Sequence, residues 1–374
     1  MTNESGSILT VEGPIDPDDL GVTLPHEHVF ADWTGDKFTE PDSAVERRLA
    51  RQEMSMDTLW RVKKDPVASR DNLVLDSVED AVDELARYRR AGGDAIVDVT
   101  PKNVGGDPER VRGVARETGV TVVHGTAFYM RSSHPDRIDD MSRGEIAEEF
   151  VSDVREGIDD TEVRAGIIGE IGVTDTADGE GAGIDHEFHE AELKVLRAGV
   201  DAALHTGVSI SIHPPFRRTE KYPTSRRCLE ILDLIEEEGL APERVVFCHR
   251  DQSKFLERDL TYQKELAERG AYVEFDLFGH PESPRPTFDD AQPGDTDRIE
   301  WIQELITEGY GSRLLLSHDV FLKRCLVKYG GDGYDYIPTT ILPALREYGV
   351  AQSDIETVVE GNPRDVLTLA EPET

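Results

Sequence analysis

Lysine is scarce in this 374-residue chain, with ten residues against 31 arginines, and acids outnumber bases 77 to 41 for a formal net charge of −36. So acidic a balance repels phosphate backbones and anionic membranes, which argues against nucleic acid or a lipid surface as a partner. Cysteine is rarer still. Cys228, Cys248 and Cys325 lie far apart with no Cys-x-x-Cys pair, so a disulfide scaffold or a thiolate zinc ribbon is not expected. No run approaches the roughly 18 apolar residues of a membrane helix. The first ten residues lack the basic-then-apolar order of a secretory signal, so the expected compartment is the reducing cytoplasm. Phosphate-cradling glycine fingerprints are missing too: Gly105-Gly106 and Gly330-Gly331-Asp332-Gly333 have the wrong spacing for a nucleotide cofactor.

What is present is a sizeable apolar fraction, 37%, enough for one large core. The acid is spread along helix-like stretches such as Glu145–Asp160 and is not gathered in a tail, which reads as a solvated, halophilic surface suited to high salt. Short β-branched runs recur at Val22–Leu24, Ala95–Val99, Val120–His124, Ala165–Ile171, Ser209–His213, Arg244–Cys248, Ala271–Phe275 and Arg313–Ser317. Amphipathic segments separate most of them, and glycines such as Gly119, Gly207 and Gly270 stand where a helix would hand over to a strand. Eight such repeats predict an α/β fold, a (β/α)₈ TIM barrel forming a single domain over residues 1–374. Long βα loops should gather on one face. The longest is an insertion, Val29–Ser77, with a helix expected near Ser43–Val62.

The residues that end the strands are the chemical signal. Strand one runs into His26-Glu27-His28, whose alternate residues point the same way. Strand four runs into Glu170, strand five into His213, strand six into His249, and strand eight into His318-Asp319. In a barrel of this kind the C-terminal strand ends converge, so four imidazoles and two carboxylates meet at one place. That donor set suits zinc, manganese, iron or cobalt. Each piece has a plainer reading as a hydrogen-bonded strand end or a helix cap; the conjunction is what favours metal.

These motifs resemble the phosphotriesterase family of the amidohydrolase superfamily, in particular its phosphotriesterase-related branch. The likeness runs from Leu20–His28 through Gly169-Glu170-Ile171-Gly172, Ser211-Ile212-His213, His249-Arg250-Asp251 and Ser317-His318-Asp319 to Asn362-Pro363-Arg364. It implies a binuclear centre of two divalent cations, zinc first, with manganese, cobalt or iron as alternatives. His26, His28 and Asp319 would hold the more buried ion and His213 and His249 the more exposed one. Glu170 would bridge where many relatives carry a carboxylated lysine. Two cations about 3.5–4 Å apart acidify a shared water for attack on a carbonyl or phosphoryl centre. Asp319 would take the proton, and Asp251 would act as a relay or else in a salt bridge with Arg250 or a neighbour. Phosphotriester-cleaving relatives keep a relay histidine where this chain has Leu277, with His280 three residues on. The expected reaction is therefore hydrolysis of a carboxylic ester, a lactone first, with amide or phosphotriester hydrolysis as alternatives. Arg217, Arg218 and Tyr129 are the candidate substrate contacts, the arginines for an acidic group on the substrate, with Lys102 a further basic candidate. The partner expected is a small molecule, and the resemblance implies a homodimer. A metal-binding sensor or scaffold without turnover is the rival reading; a complete ligand set weighs against it.

Overall fold

The computed structural model describes residues 4–174, 187–215, 224–251, 260–280 and 293–372. Eight strands form one parallel sheet in sequence order: β1 (Thr23–Glu27), β2 (Ala95–Asp98), β3 (Thr121–Thr126), β4 (Ile167–Gly172), β5 (Ser209–His213), β6 (Val245–Phe247), β7 (Tyr272–Phe275) and β8 (Leu314–Leu316). Seven helices follow the first seven strands outside the sheet: α1 (Val78–Arg90), α2 (Pro108–Thr118), α3 (Arg143–Arg155), α4 (Glu190–Thr206), α5 (Thr224–Glu237), α6 (Thr261–Arg269) and α7 (Asp295–Thr307). The result is a nearly closed (β/α)₈ barrel, with boundaries a few residues from those the sequence predicts.

Side-chain alternation divides the core into two layers. Ala95, Val97 and Val99 of β2, Val246 of β6, Tyr272 of β7 and Leu315 of β8 pack together inside the barrel. Ile96, Val245, Phe247, Val273, Leu314 and Leu316 belong to the larger cluster that includes helix residues such as Leu85, Val111 and Leu266. The inner-facing columns change character as they rise. On β7 the column is Tyr272, Glu274, Asp276; on β8 it is Leu315, Ser317, Asp319; on β5 it is Ser209, Ser211, His213. The period of two that fills the barrel with apolar groups thus delivers polar groups to its C-terminal mouth.

Closure between β1 and β8 uses side chains. Ser317 Oγ accepts from His26 N (3.1 Å) and donates to the His26 carbonyl (2.8 Å), and Asp319 N donates to the same carbonyl (3.3 Å). Two local features differ from the sequence expectation. The helix expected near Ser43–Val62 is two short ones, Ala44–Ala50 and Leu59–Val62. Between them Ser55 N donates to Thr58 Oγ1 (2.9 Å) and Met54 N to Asp71 (2.7 Å), local bonds that compete with a helical ladder. A hairpin of Ile8–Thr10 with Gly13–Ile15, too short to show periodicity, lies against the barrel: Ile8 joins the inner core and Val11 N donates to Val122 O. Among the described residues no helix is long and apolar enough to cross a membrane.

Candidate metal centre

Of the ten site residues expected from the sequence, the structure brings seven together at the barrel mouth. His26 on β1 and His28, just past its end, have ring centroids 5.5 Å apart; His26 lies 5.0 Å from the His249 ring and His213 lies 4.9 Å from it. Glu170 Oε1 stands 2.6 Å from His213 Nδ1, 3.1 Å from His249 Nε2 and 3.9 Å from His26 Nε2. Asp319 Oδ1 stands 3.1 Å from His28 Nε2 and 3.7 Å from His26 Nε2. All six are at least nine-tenths buried, and Asp319 is the most exposed at 7%. Tyr129, the seventh, puts its hydroxyl 3.2 Å from His213 Nδ1.

Local backbone aims these groups. Glu170 lies where the ladder between β4 and β5 slips, between Ile168 and Ile171, an irregularity of the kind that re-aims a side chain. Its glycine neighbours allow close packing: a Cβ at Gly169 would meet Ser211 Cβ at 2.6 Å, and one at Gly172 would meet the Tyr129–Met130 backbone at 2.5 Å. His249 (φ 58°) and Asp319 (φ 52°) adopt the left-handed conformation that costs a non-glycine residue energy, a cost often met at functional sites. Asp276 holds the first turn by accepting from His249 N at 3.0 Å.

Behind the cluster, most imidazoles have an Nδ1 partner. His26 Nδ1 lies 3.1 Å from Glu274 and 3.3 Å from Asp276, His249 Nδ1 2.8 Å from Asp276, and His28 Nδ1 2.9 Å from the Thr100 hydroxyl, which donates to Asp98. With Nδ1 engaged, Nε2 is left to face the centre, the arrangement by which proteins orient metal-binding histidines. His26 Nε2 is fully buried and has no hydrogen-bond partner among the described residues. An orphaned imidazole nitrogen aimed at two carboxylates fits a cation. Electrostatics agree. Burial alone would raise Glu170, but His213, His249 and His26 hold it well below the usual carboxylate range; His28 and its neighbours likewise bring Asp319 to about 2 against burial. Both therefore stay ionised. Burial pushes His213 down to about 4 despite Glu170, whereas Asp276 overcomes burial and raises His249 to about 10.

The other expectations fare variously. Asp251 is buried, with Arg298 Nε donating to its Oδ2 (2.6 Å) and Leu277 N donating at 3.1 Å. Its salt bridge is thus to Arg298, whereas Arg250 Nε turns to the Cys248 carbonyl (2.8 Å). Lys102, in the turn after β2, does not face the centre: it joins Glu149 and Asp153 of α3 and Asp159 beyond it, at 2.7–3.1 Å. Arg217 and Arg218 lie outside the described residues. Sequence reasoning assigned no role to Glu27 or Glu274. Glu27 accepts from Ser317 Oγ (2.8 Å), His318 N (3.0 Å), His318 Nδ1 (2.8 Å) and Val320 N (2.9 Å), tying β1 to the chain after β8. A charged residue between two histidines, on the opposite face from both, was the available signal. His280 is buried, stacks on Phe321 and places Nε2 2.9 Å from the His318 carbonyl.

Comparison with known proteins agrees with this geometry. A curated N-acetyltaurine hydrolase of Dictyostelium discoideum is 33% identical over 99% of this chain and 100% of its own. A solved structure described as a resiniferatoxin-binding protein from Rhodobacter sphaeroides superposes with a TM-score of 0.86 at 36% identity, covering 97% of this chain and 95% of that one. A lactonase from Listeria monocytogenes shares the fold, with a TM-score of 0.74 at 22% identity over 98% and 100% of the two chains. The sequence model of the phosphotriesterase family matches residues 6–367. With a buried donor set at the barrel mouth and a family match over nearly its whole length, the chain belongs to the phosphotriesterase family of hydrolases.

Proposed function

We propose that this hydrolase cleaves the amide bond of a small N-acyl amine bearing an anionic group, using two divalent cations held by His26, His28, Glu170, His213, His249 and Asp319. Zinc is the first choice, with manganese, cobalt or iron as substitutes. The observation that carries the reading is the buried Nε2 of His26, without a hydrogen-bond partner among the described residues and aimed between Glu170 and Asp319. The sequence alone favoured a lactone. The shift to an amide rests on the Dictyostelium relative, matched over its full length and named for N-acetyltaurine, whereas likeness to the lactonase at 22% identity speaks for the fold alone. Both substrates present a trigonal carbonyl, so a lactone remains the second reading. Leu277, buried at 2% exposure where phosphotriester-cleaving relatives keep a histidine, cannot move a proton and disfavours a phosphoryl target.

When bound, the cations supply Lewis acidity and lower the pKa of water. The chain's own residues do the rest. Asp319, ionised and the most exposed of the six, accepts the water's proton at a carboxylate oxygen and delivers it toward the departing amine. Tyr129 places its hydroxyl beside His213 at the rim, where it can hold the substrate carbonyl. Trp33, Tyr129 and Phe321 pack edge to face around the opening and exclude bulk water.

The full-length protein, loaded with zinc or manganese, is to be assayed at low and high salt on N-acetyltaurine, neutral N-acetyl amines, lactones and phosphotriesters, beside His213→Ala. Turnover of N-acetyl amines, reduced at least ~100-fold in the variant, is the expected result. Equal rates for the two proteins would refute the site. Metal content without turnover of any class would revive the sensor reading.

A further inference from the structure

The insertion after β1 brings a cation to the rim of the centre. Trp33 packs its ring against His28 (5.2 Å, edge to face), and Tyr129 packs against His213 (4.8 Å) and against Trp33 (5.2 Å). Over these two rings sits the ammonium of Lys37, 5.3 Å from the Trp33 centroid and 5.6 Å from that of Tyr129. Lys37 ends the short helix Thr34–Lys37, and its side chain is only 10% exposed. Asp36, 3.2 Å away and 6% exposed, fixes it from the neighbouring position and is itself held by the Ser132 hydroxyl from the loop after β3. Thus one aromatic ring separates the ammonium from each of two proposed metal ligands.

Placing a lysine here is costly. Burying most of its side chain gives up rotamer freedom and hydration, and in a chain with ten lysines and a net charge of −36 the solvent-facing alternatives are many. Two π faces and a carboxylate hold the ammonium at the aromatic rim. An ordinary surface ion pair would need no aromatic cradle beside the ligands.

We propose that Lys37 is the anion-binding group of the substrate site, taking a sulfonate or carboxylate a few bonds from the carbonyl that is cleaved. The inference rests on the amide reading above and assigns its substrate's charged end. An anion at Lys37 lies at the aromatic rim, so the reactive carbonyl of a short substrate points inward over His213 and His28. Acyl amines with a cationic end would fit this polarity poorly.

The test uses the zinc-loaded full chain, wild type, Lys37→Met and Lys37→Arg, with N-acetyltaurine, N-acetyl-β-alanine and neutral N-propylacetamide. KM and kcat are measured where turnover occurs, and Kd by calorimetry where it does not. Losing a charge-assisted contact should raise KM or Kd of the two anions by about 10- to 100-fold in Lys37→Met, with N-propylacetamide moving much less and Lys37→Arg recovering part of the loss. Comparing the two anions reads out whether sulfonate or carboxylate is preferred. If wild type does not distinguish the anions from N-propylacetamide, or Lys37→Met weakens all three alike or none, the assignment is overturned. If the anions bind through Lys37 but nothing is cleaved, the amide reading falls and the anion site stands.

Discussion

Glu274 and Asp276 stand on the inward column of β7, both 0% exposed, and between them they reach the Nδ1 atoms of two of the proposed ligands. Two buried carboxylates so close together are a liability unless something positive stands between them. Burial raises Glu274 to about 7 even with His26 pulling it down. Their return is orientation, since a carboxylate on Nδ1 fixes the tautomer and ring direction and strengthens the Nε2 donor. Replacing Glu274 with leucine should therefore weaken zinc binding by about 10- to 100-fold while leaving the far-ultraviolet circular dichroism unchanged. Chelator competition measures it, and unaltered zinc affinity in Glu274→Leu would mean that the carboxylate does not orient His26.

At the scale of elements, the informative feature is how the first and last strands meet. Neighbouring strands elsewhere in the barrel are joined by parallel ladders, for example Val273 to Leu314 across β7 and β8. Between β1 and β8 the joint is made instead by Ser317, the Asp319 amide and Glu27, whose two carboxylate oxygens lie within hydrogen-bond distance of four donor atoms. The bonds that close the barrel and the turn that aims Asp319 are thus shared. Glu27→Gln keeps the shape but removes the charge and one acceptor oxygen, so it should destabilise the fold by about 1–3 kcal/mol. The same change should loosen metal binding, because Asp319 follows His318 directly. Urea denaturation of the metal-free protein tests the first part; a midpoint equal to wild type would place the closure elsewhere.

Over the whole molecule the acidic excess is the dominant electrostatic fact. Basic residues at the surface are often shared between acids: Arg143 contacts both Asp201 and Glu238, and Lys264 both Glu304 and Glu308. Even so, 77 acids against 41 bases leave much repulsion unrelieved in dilute buffer. Raising the salt from about 0.1 M to about 1 M shortens the screening length from about 10 Å to about 3 Å. Potassium chloride should therefore raise the Tm, and calorimetry at fixed pH and metal loading reads the shift. A Tm that is flat or falls with salt would count against a surface shaped for a saline interior.

Local sequence specified the eightfold alternation, because helix and strand periods are local and glycine marks their junctions. It also determined which side chains stand at the strand ends: the identities of His26, His28, Glu170, His213, His249 and Asp319 follow once each strand's last residue is known. Partnership lay beyond its reach. That Glu274 backs His26, that Asp251 pairs with Arg298, and that Lys102 turns away to α3 depend on which strands and helices become neighbours, and no local pattern encodes a contact across 47 or 248 positions. Lys37 is the clearest case: on a short helix inside a long insertion it reads as one more surface charge. Only the folding of that insertion over Trp33 and Tyr129 puts its ammonium beside the centre, because burial and proximity are properties of the packed chain.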